Sequence, residues 1–265
     1  MKFHTFNFFS LALLVFAFSS SVSSDHWKTD LEILDVLIIS DHTQLKPFNL
    51  DTSGFRGIER TYVDPSIDLF QNILKDKGLR TAILHIEDLA LGHELLTRKQ
   101  QDNLYAAYDQ ILIDAAKRNV TIISLHLDAE KITTNDFSQI PYPTNSDAES
   151  YVYLGGAQII LDQRNISKES MQLAHKLLFS DFFSLVEDKG ITVRPTYLNR
   201  LRLQSNISMY LSGGSKGGAA LIELGALDEL KRLFKTPKAI AENLHLPLLE
   251  VANIIEDHRR SLWAK

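Results

Sequence analysis

The sequence predicts an α/β domain: a single, mostly parallel twisted sheet of about six strands with helices on both faces. Three observations carry this. Short apolar runs alternate along the chain with longer amphipathic stretches, as strands and crossover helices do. Several of these runs are apolar throughout, which marks strands buried on both faces. The length, 265 residues, accommodates one sizeable core, and neither an internal repeat nor a linker divides it.

The elements follow in order. Residues 35–40 (DVLIIS) read as the first buried strand. Residues 41–62 hold Pro, Gly and mixed polar residues without periodicity and read as a loop. A helix is expected from Asp64 as cap and Pro65 as first helical residue to Gly78 at its end. Residues 80–85 (RTAILH) give a second strand, 96–117 a long helix and 120–126 (VTIISLH) a third strand. Residues 127–156 form a long loop region, of a length that often accompanies function. Strands are expected at 157–162, 191–194 and 219–224, and helices at 167–185, 226–234 and 237–256. The turn 212–218 (SGGSKGG) is glycine-rich. It precedes a strand, whereas a phosphate loop precedes a helix.

Composition narrows the function. Hydrophobic residues make up 45% and charged residues 23%, which fits a globular chain and excludes a disordered one. A formal net charge of −5 gives no reason to expect a nucleic-acid partner. The absence of cysteine rules out disulfides, thiolate metal sites and cysteine nucleophiles. Residues 1–24 have the layout of a signal peptide: Lys2, an apolar run over 8–18 (FFSLALLVFAF), then small residues at 19–24 (SSSVSS). The mature domain is then 25–265, exported to the periplasm or secreted. No later stretch approaches the ~20 apolar residues of a membrane span. An uncleaved N-terminal anchor is the alternative reading.

Three polar residues recur at strand ends. His42 lies two residues past the first strand, His126 ends the third, and Glu223 lies near the end of the last. Ligands of open α/β sheets bind outside the carboxyl ends of strands, so these residues can converge on one rim, with Glu59 reaching it from the loop. Two imidazoles and a carboxylate, with water in the fourth position, form a recurring catalytic zinc set. A further carboxylate, Glu223, would serve as general base. Blander readings exist for each residue. A histidine at a strand end, His85 included, can be a hydrogen-bonded structural group. A loop glutamate is ordinarily solvated. Glu223 could pair with a buried arginine.

Beside these residues the chain resembles the zinc-dependent N-acetylmuramoyl-L-alanine amidases of the amidase-3 type. The segment 124–129 (SLHLDA) is similar to that family's Ser-Ile-His-Ala-Asn-Ala, whose His binds zinc, and 220–225 (ALIELG) to its Val-Leu-Val-Glu-Leu-Gly, whose Glu is catalytic. Asp41-His42 is similar to the first zinc histidine, Glu59 falls where the zinc-binding Glu stands, and 96–98 (LTR) matches the Leu-Thr-Arg signature. The family's Gly-His-Gly-Gly is here Asp41-His42-Thr43-Gln44, and its Asn in the second motif is Asp128. The order holds from about Leu34 to the C-terminus. The resemblance implies zinc held by His42, Glu59 and His126, catalysis by Glu223, and a peptidoglycan or muropeptide substrate cut between N-acetylmuramic acid and L-alanine. The alternatives are a non-catalytic descendant that binds cell-wall fragments or a protein, and a zinc amidase acting on another amide.

Overall fold

A computed structural model describes residues 31–40, 55–89, 98–128, 131–132, 153–194 and 200–264. The signal-like segment, His42 and most of 127–156 lie outside the described residues. Among the described residues no helix is long and apolar enough to cross a membrane.

The chain runs β1 (Val36–Ser40), α1 (Phe55–Asp76), β2 (Thr81–His85), a 3-10 turn (Ile86–Leu89), α2 (Arg98–Lys117) and β3 (Thr121–Asp128). Two short strands, β4 (Lys131–Ile132) and β5 (Tyr153–Leu154), pair antiparallel with each other. Then come β6 (Gln158–Leu161), α3 (Lys168–Leu178), α4 (Phe182–Glu187), β7 (Leu201–Leu203) and α5 (Ile207–Ser212). The chain closes with β8 (Ala219–Ala226), α6 (Leu227–Phe234), α7 (Pro237–Asn243) and α8 (His245–Trp263). The six-stranded sheet has the order β2-β1-β3-β8-β6-β7. Its first four strands are parallel, β6 is antiparallel to β8, and β7 is parallel to β6.

Alternation along the strands divides the core in two. Val36, Ile38, Ile123, Leu125 and Ile222 join Phe70, Leu177, Phe182, Leu248 and Ile255 on one face. Leu37, Ile39, Ile122, Ile160 and Leu221 join Leu104, Leu112 and Met209 on the other. Successive strand side chains point to opposite faces, so a strand that is apolar throughout feeds both cores.

The structure corrects several boundaries. α1 begins at Phe55, so Pro65 lies inside the helix and Glu59 is helical rather than in a loop. A proline at such a position forfeits a backbone hydrogen bond. Here the helix continues because buried Val63, Ile67 and Phe70 anchor it to the sheet, and Asp64, expected as a cap, instead accepts from Arg60 Nε at 3.0 Å. The strand expected at 191–194 is a single bridge between Val193 and Ala157. Pro195 follows, with no N–H to extend a ladder. The sheet takes its edge strand from β7 instead. The helix expected over 167–185 divides into α3 and α4 at Ser180, whose hydroxyl bonds the Leu177 carbonyl and accepts from the Phe182 N–H.

The glycine-rich turn is a packing device at the amino end of β8. Ser215 Oγ donates to the Val120 carbonyl and Thr121 Oγ1 to the Gly217 carbonyl, each at 2.7 Å. Ser170 Oγ donates to Gly213 O at 2.7 Å and accepts from Ala219 N at 2.9 Å. A Cβ on Gly217 would stand 2.3 Å from the Val120 carbonyl, so only glycine lets the turn lie this close to β3.

A second clamp ties the amino ends of β1 and β2 to α8. The Asp35 carboxylate accepts from Arg80 N and Nε at 2.9 Å, from its Nη2 at 3.0 Å, and from Arg259 Nη2 at 3.2 Å. Burial pushes the Asp35 carboxyl up, but its hydrogen bonds and charge contacts with Arg80 and Arg259 outweigh this and hold it below its usual value. A carboxyl lowered in the folded state stabilises above its unfolded value of about 3.9, and that contribution is lost as pH falls through the folded value. Asp35→Asn leaves the Arg259 guanidinium buried without its counter-charge, so chemical denaturation at pH 7 should show a loss of about 3 kcal/mol. The gap to the parent should narrow as pH drops below about 4.

Candidate functional site

The site forms where rows of apolar side chains turn polar at one rim of the sheet. On β3 the row runs Ile122, Ser124, His126; on β8 it runs Leu221, Glu223; on β6 it runs Ile160, Gln158. The cross-strand register places His126 beside Glu223, and Glu223 beside Gln158. These rows share a face because the side-chain period of a strand is two. His126 and Glu223 therefore meet as direct neighbours although 97 residues separate them.

α1 brings Glu59 to the same place. Its Oε1 accepts the Leu127 N–H at 2.8 Å and stands 3.4 Å from His126 Nδ1. That last separation is long for a hydrogen bond. It matches the edge of a tetrahedron whose ligands lie about 2.0–2.1 Å from a central zinc, roughly 3.3–3.4 Å. The other ring nitrogen of His126, Nε2, hydrogen-bonds Ser124 Oγ at 2.8 Å, which fixes the ring with Nδ1 toward Glu59. Glu59 and His126 are both buried, 2% and 6% exposed. Among the described residues no group of three His, Asp or Glu side chains is placed to hold a metal ion. Of the three expected ligands, Glu59 and His126 stand side by side, and His42 lies outside the described residues.

Glu223 is buried, and its Oε2 has no hydrogen-bond partner among the described residues. Burial pushes its carboxyl upward first, and the negative charges of Asp128 and Glu59 add to this. His126 and Arg194 pull it down, and the net value stands well above the usual carboxylate range. A buried carboxylate oxygen without a donor is costly in an isolated fold, and such atoms are characteristic of sites that await a partner. Arg194 acts on Glu223 through its charge, and its Nη2 donates to Asp128 Oδ2.

Sequence reasoning missed the Asp128 cluster. Asp128 Oδ2 also accepts from Gln158 Nε2 at 3.1 Å and Gly156 N at 3.3 Å, and Arg202 Nη1 donates to Gln158 Oε1 at 3.4 Å. The one signal in the sequence was the aspartate itself, where an asparagine was expected. His85, the other strand-end histidine considered, closes β2 and lies 3.4 Å from Arg60 Nη2.

Just past Glu223 the ladder is interrupted. His126 pairs with Glu223 and Asp128 with Ala226, so β8 carries one extra residue. Gly225 supplies it at φ +147°, a conformation that L side chains rarely adopt.

No family model matches the sequence, and no curated protein matches it. Solved structures do resemble the fold. The N-acetylmuramyl-L-alanine amidase Ami1 of Mycobacterium smegmatis superposes with a TM-score of 0.48 at 14% identity, over 84% of this chain and 97% of that one. The apo form of Ami1 from Mycobacterium abscessus gives 0.42 at 12% identity, over 82% and 98%. Cwp6 from Clostridium difficile gives 0.40 at 13% identity, over 86% of this chain and 29% of that one. Superpositions this loose transfer no residue role and no activity.

The Leu127 N–H depends on Glu59. Glu59→Gln keeps a carbonyl oxygen to accept it, whereas Glu59→Ala leaves it buried and unpaired. Urea denaturation should place the alanine variant about 1–3 kcal/mol below the glutamine variant. Equal stabilities would show that Glu59 is not what satisfies this amide.

Proposed function

We propose that this rim is the active site of an exported, zinc-dependent amidase that hydrolyses the bond between N-acetylmuramic acid and L-alanine in peptidoglycan. The observation that carries the reading is the meeting of His126, Glu59 and Glu223 from β3, α1 and β8, with His126 Nδ1 3.4 Å from Glu59 Oε1 and His126 paired across the sheet with Glu223. The motifs 124–129 and 220–225, which resemble the amidase-3 segments, contribute His126 and Glu223. The signal-like residues 1–24 support export to the periplasm or beyond.

Glu59 and His126 would hold zinc together with His42. Bound there, zinc would make a water more acidic and polarise the amide carbonyl. Glu223 would take the proton of the attacking water and hand it to the leaving nitrogen, as the C–N bond breaks and the C–O bond forms. A carboxyl raised above its ordinary value by burial holds a proton more readily than a solvated one, which suits taking the proton up. Ser124 would keep the His126 ring in place, and the Leu127 N–H would do the same for Glu59.

Metal content and turnover separate the roles. Glu223→Gln keeps size and shape but removes the basic carboxylate, so the variant should fold, retain about one zinc per chain and lose about 10²–10⁴-fold in kcat. His126→Ala should lose zinc as well. A fully active Glu223→Gln protein would exclude Glu223 as the base, and undiminished zinc in His126→Ala would remove His126 from the metal site.

A further inference from the structure

We infer that Asp128 is a positioning residue: held by Arg194, Gln158 and Gly156, it fixes the interrupted end of the β3–β8 pair and so the alignment of His126, Glu59 and Glu223. The inference deepens the amidase reading and rests on it for its kinetic consequence alone; the structural consequence stands apart.

The need for such an anchor comes from the bulge. Between His126–Glu223 and Asp128–Ala226, β8 spends one residue more than β3. The regular ladder is locally disrupted there, so backbone hydrogen bonds hold the two strand ends less firmly than elsewhere in the sheet. Asp128 sits where the register resumes.

The partners of Asp128 come from three places. Gly156 precedes β6, Gln158 opens β6, and Arg194 follows the Val193 bridge. Gln158 is also the cross-strand partner of Glu223. Asp128 therefore reaches from β3 over β8 to β6, where it holds Gln158, the neighbour of Glu223 on the side away from His126. One residue earlier, Leu127 gives its N–H to Glu59. A shift of Asp128 is thus transmitted to Glu59 through the backbone and to Glu223 through Gln158.

The pair with Arg194 is well suited to this task. The Arg194 side chain is 3% exposed and that of Asp128 17%, so solvent screens the attraction weakly. A charge-assisted hydrogen bond in such surroundings is short and directional. It fixes geometry at the point where the ladder does not.

The test compares Asp128→Ala and Asp128→Asn in the full mature chain, by amide hydrogen exchange and by steady-state cleavage of a soluble muropeptide. Asp128→Ala should speed exchange at Leu127 by about tenfold or more while the amides of β1 keep their protection. Its kcat should fall about tenfold or more with KM within about twofold. Asp128→Asn, whose carbonyl can accept the same three bonds but which leaves Arg194 without its counter-charge, should restore part of both. Should Asp128→Ala fail to fold, Arg194→Lys, which keeps the charge but loses the planar fork, must show the same local exchange at Leu127. Unchanged exchange at Leu127, or acceleration spread evenly over β1 and β3, would overturn the inference. If the parent cleaves no muropeptide while the local exchange effect appears, the positioning role stands and the amidase reading falls.

Discussion

Everything at the rim depends on the register of β3 against β8. A slip of one residue would carry every side chain of a strand to the opposite face, taking His126 away from Glu223. The structure sets this register from both ends. At the amino end, Ser215, Gly217 and Thr121 lock the glycine-rich turn against Val120, and the close approach leaves no room for a Cβ on Gly217. At the carboxyl end, Gly225 absorbs an extra residue and Asp128 marks where pairing resumes. The glycine-rich motif thus contributes to the site from the far side of the sheet, by packing rather than by contact with a ligand.

The same register concentrates negative charge. Glu59, Asp128 and Glu223 gather around His126, with the Arg194 guanidinium opposing them. Carboxylates gathered in this way favour a cation among them. Burial first, and then the charges of Asp128 and Glu59, raise the Glu223 carboxyl. A divalent ion between Glu59 and His126, as proposed, would offset part of that charge, and Arg194 offsets another part through Asp128. Reactivity and stability pull against each other here, since the arrangement that favours a metal and a base also buries Glu59 and Glu223.

Much of the fold was legible because buried parallel strands are written as unbroken apolar runs. β1, β2, β3 and β8 announced themselves this way, and their polar ends gave His126 and Glu223. The errors have physical causes. A helix signalled by Asp64-Pro65 reads as starting there, because the packing that carries α1 back to Phe55 comes from tertiary contacts that local propensity does not encode. The same error put Glu59 in a loop, although its place at the rim was anticipated. Apolar runs do not state direction, so β6 gave no hint that it runs antiparallel to β8. The Asp128–Arg194 pair joins residues 66 apart through side chains alone, and nothing periodic marks it.

The central claim, that this rim hydrolyses an amide in the cell wall, is tested most directly by mass spectrometry of purified sacculi incubated with the zinc-loaded mature protein. The account predicts soluble stem peptides that begin with a free L-alanine amino group, released from glycan strands that stay intact. Sacculi that bind the protein and remain uncut would contradict it, and would make the rim a recognition surface built on a hydrolase-like arrangement.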